Sequence, residues 1–149
     1  LLDKRSITAA VRAMRQSLRI SNEESDALTG SLEGLAILLA DPPPSVATRK
    51  RFLARPTQRM SRALLDAAAA VGLHRDRADL LRPHLAALEL TPFAPAPLIT
   101  GDDLLALGLS PGPLFKRILD TVYDAQLEDR IRTRPQALDL AKLMAAEPA

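Results

Sequence analysis

The side chains with most chemistry to offer are cations, and they crowd the middle of the chain. Between Ser45 and Leu85 stand Arg49, Lys50, Arg51, Arg55, Arg59, Arg62, Arg75, Arg77 and Arg82, opposed only by Asp66, Asp76 and Asp79. The flanking segments are mildly acidic, so a net charge of +2 conceals a basic centre. Arg55, Arg59 and Arg62 fall at i, i+4 and i+7, which on a helix makes one stripe. Arg49, Lys50 and Arg51 just before it are expected to extend the same surface, with Arg75 and Arg77 further along. Such a surface suits phosphate, because cations on it release the counterions condensed along a phosphodiester backbone. Aromatic content is only 3%. That disfavours base stacking on single strands and favours backbone and shape recognition of duplex RNA. The competing reading is a solvated arginine face.

A second candidate is the stretch Pro97–Thr133, which reads as a short helix, a hard turn and a long helix. Thr100 is placed to cap the first helix, with Asp103 at capping-box spacing. Asp102 and Asp103 put negative charge where the helix dipole favours it. Leu104, Leu105 and Leu107 supply an apolar face, and Gly108 fits a left-handed residue that ends the helix. Ser110 is expected to cap the next helix, with Pro111 at its first position and Leu114, Ile118, Val122 and Ala125 inward. Such a hairpin is either a packing unit or a phosphate site. In the second case the backbone N–H groups around Gly112 and the charges of Lys116 and Arg117 are the ligands. Pro111 and Pro113 lack an N–H and reduce the donors.

Other chemistry is sparse. There is no Cys, which excludes disulfides and thiolate metal sites and permits a cytosolic setting. His74 and His84 are too far apart along one helix to share a metal ion, so neither a metal site nor a cofactor is expected. There is no Gly-rich phosphate loop, no Ser/His/Asp set and no H-E-x-x-H, and no catalytic residue is nominated. No apolar run reaches membrane-spanning length.

The elements that must position these residues are helices. Hydrophobic content is 47%, carried by Leu, Ala, Ile and Val, so the fold class expected is all-α. A first helix spans Asp3–Ile20, with Ile7, Val11, Met14 and Leu18 on one face and Arg12, Arg15 and Arg19 elsewhere. Ser21 and Glu24 form a capping box that opens a second helix, with Leu28, Leu32, Leu35 and Leu39 inward and an end near Asp41. Pro42-Pro43-Pro44 breaks the chain. A short third helix, Ser45–Ala54, packs Val46, Phe52 and Leu53. Pro56 starts a fourth, with Met60, Ala63, Leu64, Ala67 and Val71 inside, closed by Gly72. A fifth runs from about Arg75 to Leu90 with Ala78, Leu81, Leu85 and Leu88 inside, and Pro83 should kink it or break its first turn. Thr133 and Gln136 open a last helix carrying Ala137, Leu138, Ala141 and Leu143. The organisation expected is a helical bundle body at 1–90 with its basic middle at 45–85, a Pro-rich linker at 91–96, and a helical-hairpin tail at 97–149.

The segments LITGDDLLALGLSPGPLFKRIL and AQLEDRIRTRPQAL resemble the C-terminal tail of bacterial CCA-adding tRNA nucleotidyltransferases and the related bacterial poly(A) polymerases. Gly101, Asp102, Leu104, Gly108, Pro111, Gly112 and Pro113 fall in one register with that family, across roughly the last third of the chain. Asp129 departs from it, because a Gly is common after the long helix. The resemblance implies a tRNA-binding region that grips the RNA backbone in the cytoplasm while a separate catalytic head extends the 3′ end. The family's head carries a Gly-Ser followed by an Asp-x-Asp pair for magnesium, and this sequence has no Asp-x-Asp pair and so lacks that combination. The chain opens with Leu-Leu-Asp rather than Met and carries no signal-peptide pattern. It is therefore expected to be a piece of a longer polypeptide or a separate protein built from that part. The rival readings are a helical protein–protein or oligomerisation module, and a helix–hairpin–helix DNA-binding protein.

Overall fold

A computed structural model describes residues 3–146, and every described element is a helix. The chain divides into two compact units, Leu1–Phe93 and Ala94–Ala149. The division falls inside the Pro-rich stretch.

In the first unit, α1 (Lys4–Leu18) starts at Asp3, whose carboxylate accepts from the Ser6 N–H at 2.8 Å. Ile7 and Val11 are buried, but Met14 and Leu18, expected on the same face, are exposed. Arg19 ends the helix in a left-handed conformation (φ 54°). The expected capping box then opens α2 (Asn22–Leu38): Ser21 N–H donates to Glu24 Oε2 at 2.7 Å and Glu24 N–H to Ser21 Oγ at 3.1 Å.

The core-facing line of α2 is Ser31, Gly34, Leu35 and Leu38. Leu28, Leu32 and Leu39 are only half-buried. The helix is turned so that its small residues meet α4 (Gln58–Ala70), which likewise presents Ser61, Leu65 and Ala69 instead of Met60 and Val71. The two helices come close enough that the Ser61 hydroxyl donates to the Ser31 carbonyl at 2.9 Å. A Cβ on Gly34 would lie 2.2 Å from Ser61 Oγ. Glycine here serves closeness of approach.

Around this pair sit α3 (Val46–Leu53) and α5 (Arg75–Glu89). Ser45 caps α3, and Ala47, Phe52 and Leu53 go inside while Val46 stays exposed. In α5, Ala78, Leu81 and Leu85 are buried as the spacing predicts. Pro83 does not break it: the helix runs through, one ladder donor short. Gly72 (φ 86°) closes α4, with Leu73 N–H donating to Ala68 O and Gly72 N–H to Ala69 O. The core of the unit is built from Leu35, Leu38, Phe52, Leu53, Leu65, Ala69, Ala78, Leu81 and Leu85, and Phe93 packs on it.

The second unit holds α6 (Gly101–Ala106), α7 (Pro113–Leu127) and α8 (Arg134–Ala146). Its core is Ile99, Leu104, Ile118, Val122, Ala137 and Ala141. Leu143 is exposed, against expectation. Gly108 (φ 83°) ends α6, and Leu109 folds back so that its N–H donates to Leu104 O at 3.1 Å. The N-cap of α7 is Gly112, with Pro113 at N1, so Ser110 and Pro111 precede the helix instead of opening it. The start of the unit is tied down by α7. Tyr123 Oη donates to Pro95 O (3.0 Å), Gln126 Nε2 donates to Ala96 O (2.8 Å), and Gln126 Oε1 accepts from Leu98 N–H (3.0 Å).

Candidate nucleic-acid interface

The basic middle does not form the continuous surface that the spacing suggests. Arg49, Lys50 and Arg51 lie on α3, where successive side chains diverge by about 100°. Lys50 is 7% exposed and points inward. Lys50 is thus a buried residue and not the surface cation that the spacing suggests. Arg49 and Arg51 are half-buried, and Arg49 Nε reaches back to Ser45 O at 3.4 Å.

The stripe of Arg55, Arg59 and Arg62 is broken for two reasons. Because α4 begins at Gln58 rather than Pro56, Arg55 sits in the turn before the helix and not on its face. Its Nη2 pairs with Glu33 Oε2 at 3.0 Å. Arg62 lies on α4, but its Nη1 pairs with Glu89 Oε1 at 2.5 Å. Both acids are more than twenty residues away in sequence, so no local pattern reveals them. Arg59, between the two, is exposed and makes no ion pair among the described residues.

On α5 the same division recurs. Arg75 is exposed at the first helical position, where the helix dipole does nothing to hold a cation. It lines an open depression of about 370 Å³ with Asp66, Asp79 and Arg82. Arg82 is engaged there by Asp66 (2.9 Å) and Asp79 (3.0 Å), and the Asp66 hydrogen bond above all raises its pKa. Arg77 is half-buried, and its Nη1 donates to Ala40 O (2.8 Å) and Leu38 O (3.5 Å). It thus caps the C-terminus of α2, where a cation also opposes the dipole.

In the tail, Gly112 has extended backbone (φ 170°, ψ −172°) and its carbonyl accepts from Lys116 N–H at 3.1 Å. The side chains of Lys116 and Arg117 are exposed on the first turns of α7, and among the described residues neither forms an ion pair. Pro113 removes one of the N-terminal donors of α7, as expected.

The paired acids of the tail have a structural role. Asp103 accepts from the Thr100 N–H at 2.8 Å and forms an ion pair with Arg134 at the start of α8. The Thr100 backbone hydrogen bond first, then Arg134, holds its carboxyl below the ordinary 3.8. This clamp, and the double hydrogen bond of Gln126, were not visible to sequence reasoning. Asp103 reads as a local cap, and nothing in the spacing pairs it with a residue 31 positions on.

His74 precedes α5 in a left-handed conformation (φ 55°) and His84 is exposed on it. Among the described residues no group of three His, Cys, Asp or Glu is placed to hold a metal ion, and no helix is long and apolar enough to cross a membrane. In comparisons with known proteins, no family model, curated protein or solved structure matches the chain.

Proposed function

We propose that this chain is the tRNA-binding body and tail of a tRNA nucleotidyltransferase, acting in the cytoplasm. On this reading it supplies grip and no chemistry. A separate catalytic head, in the same polypeptide or another, extends the 3′ end of the tRNA. The observation that carries the reading is the tail motif from Gly101 to Pro113, which leads into Lys116 and Arg117, both exposed and in no ion pair among the described residues. Arg59 and Arg75 on the body share that condition. Phosphate contacts draw on cations that are not already neutralised, so these four are the residues that would carry the grip. Arg55, Arg62 and Arg77 are committed to Glu33, Glu89 and the end of α2.

The test is tRNA binding at about 50 and 200 mM salt. Four phosphate contacts predict a loss of about 10²-fold between the two. The variant R59E/R75E/K116E/R117E should lose most of its affinity and most of its salt dependence. Equal affinity for duplex DNA would favour the helix–hairpin–helix reading instead. The runner-up, a helical protein–protein module, is favoured by Met60, Val71, Leu73 and Leu90, which are more than half exposed on the body. Association that survives high salt would select it, because apolar contacts do not weaken that way.

A further inference from the structure

The most one-sided charge distribution on the molecule lies on α1, outside every surface considered so far. Lys4, Arg5, Arg12, Arg15 and Arg19 are its charged residues, and all five are exposed. Among the described residues none of them forms an ion pair. The only acid at this helix, Asp3, is occupied by the Ser6 N–H and hydroxyl. At about 100° per residue, Arg5, Arg12 and Arg15 fall within one sector about 80° wide, spanning about 15 Å of helix axis at 1.5 Å per residue, and Arg19, the left-handed C-cap, adds a further exposed cation at the end of the helix. Ile7 and Val11, which are buried, lie on the adjoining face, next to the Arg15 edge of that sector. The N-terminal part of the next helix is acidic, at Glu23, Glu24 and Asp26, yet no ion pair joins these to α1, and Glu24 is engaged by Ser21.

Exposed arginines held in a row without partners keep their full charge for a ligand. Their planar forks suit phosphate oxygens better than lysine does. We infer that α1 is a second phosphate-tracking surface, whose ligand is the backbone of duplex RNA. The alternative for a basic amphipathic helix is an anionic membrane. That use needs the whole apolar face free to insert, and α1 has already committed Ile7 and Val11 to the bundle. The site is distinct from Arg59, Arg75, Lys116 and Arg117. The choice of RNA as partner rests on the proposed function, while the phosphate chemistry does not.

The experiment uses the full 149-residue chain and three probes: a tRNA, a plain RNA duplex of about 12 base pairs, and anionic phospholipid vesicles. The variant R5Q/R12Q/R15Q/R19Q is compared with R59Q/R75Q/K116Q/R117Q, after circular dichroism shows helicity equal to wild type. The α1 variant should bind the plain duplex about 10- to 100-fold more weakly at low salt. Its plot of log affinity against log salt should be flatter by about 3, since each lost phosphate contact removes nearly one unit of slope. An α1 variant that matches wild type on RNA overturns the inference and leaves the tRNA reading standing. Binding of the plain duplex through α1, with no preference for tRNA, supports the inference and removes the tRNA reading. Binding to vesicles but to neither RNA, or to none of the three probes, overturns both.

Discussion

The body and the tail are both small helical units, but different forces set their geometry. In the body, helices approach through small residues: Gly34 faces Ser61 and Gly30 faces Thr57, and the Ser61 hydroxyl crosses to a carbonyl of α2. Three of its arginines, Arg55, Arg62 and Arg82, are then engaged by acids from other helices. In the tail, side chains lock helix ends: Asp103 to Thr100 and Arg134, Gln126 to the segment that leads in, and Gln136 to the Arg132 and Thr133 N–H groups. Close approach tolerates no added volume, whereas end clamps fail bond by bond. The two units should therefore answer substitution on different scales.

The largest effect is expected in the body. Gly34→Ala puts a methyl where a Cβ meets Ser61 Oγ at 2.2 Å and Phe52 Cε2 at 3.2 Å. Forcing that volume between two helices should cost about 1–3 kcal/mol. Urea denaturation followed by circular dichroism checks it, and amide exchange in α2 and α4 should accelerate. Adding Ser61→Gly should recover part of the loss, a coupling that a mere change of helix propensity would not produce.

The same contrast decides what was legible in the sequence. Signals that act within three or four residues were read well. Ser21 with Glu24, Thr133 with Gln136, and the glycine ends at Gly72 and Gly108 all stand where spacing put them. The number of helices, their order and the all-α class follow from these. Helix rotation was not legible in the body. Periodicity assigns the core to the largest apolar residues, so it chose Leu28, Leu32 and Met60. The structure instead turns Gly34 and Ser61 inward, because close approach returns more contact than a Leu held at a distance. Charge was legible only as a count. Whether Arg55 or Arg62 is free depends on Glu33 and Glu89, which the fold brings from far along the chain. The arginines of α1 were visible as a helix whose only nearby acid is its own cap, a signal outweighed by the denser cluster at 45–85.

In the tail the next effect is comparable in size but divides into single bonds. Gln126→Leu removes the donor to Ala96 O and the acceptor for Leu98 N–H in one step. At roughly 0.5–1.5 kcal/mol per hydrogen bond the loss should be about 1–3 kcal/mol. Tyr123 is the only tyrosine, and its hydroxyl donates to Pro95 O in the same segment, so its fluorescence reports this change directly. A tail in which the variant leaves both stability and Tyr123 unchanged would not be held by end clamps.

Asp129 offers a gain. It ends α7 in a left-handed conformation (φ 58°), with its N–H on Gln126 O and the Arg130 N–H on Ala125 O. Gly108 fills the equivalent place at the end of α6. Asp129→Gly relieves a penalty of about 1 kcal/mol but loosens the unfolded chain and gives up the weak contact with Arg132. A net rise of a few tenths of a kcal/mol is expected, read as a higher denaturation midpoint at unchanged slope. The same change at Arg19, also left-handed, tests whether the body gains equally.

The smallest effect distinguishes the units by pH. Asp103 in the tail and Glu24 in the body are both held below their ordinary values, each first by the backbone N–H it caps. A carboxyl with a depressed folded pKa contributes stability that is fully present above its unfolded value. That contribution is lost as pH falls through the folded value. Both units should therefore weaken below about pH 4, at a cap rather than in the core. Asp103→Asn should flatten the acid limb reported by Tyr123 and leave amide exchange in α2 unchanged, and Glu24→Gln should do the reverse. Glu24 faces solvent while the Asp103 side chain is 15% exposed beside Arg134, so salt screens the Glu24 contribution more readily. The Arg134 contribution to Asp103 should screen away first, leaving the Thr100 hydrogen bond as the part that persists.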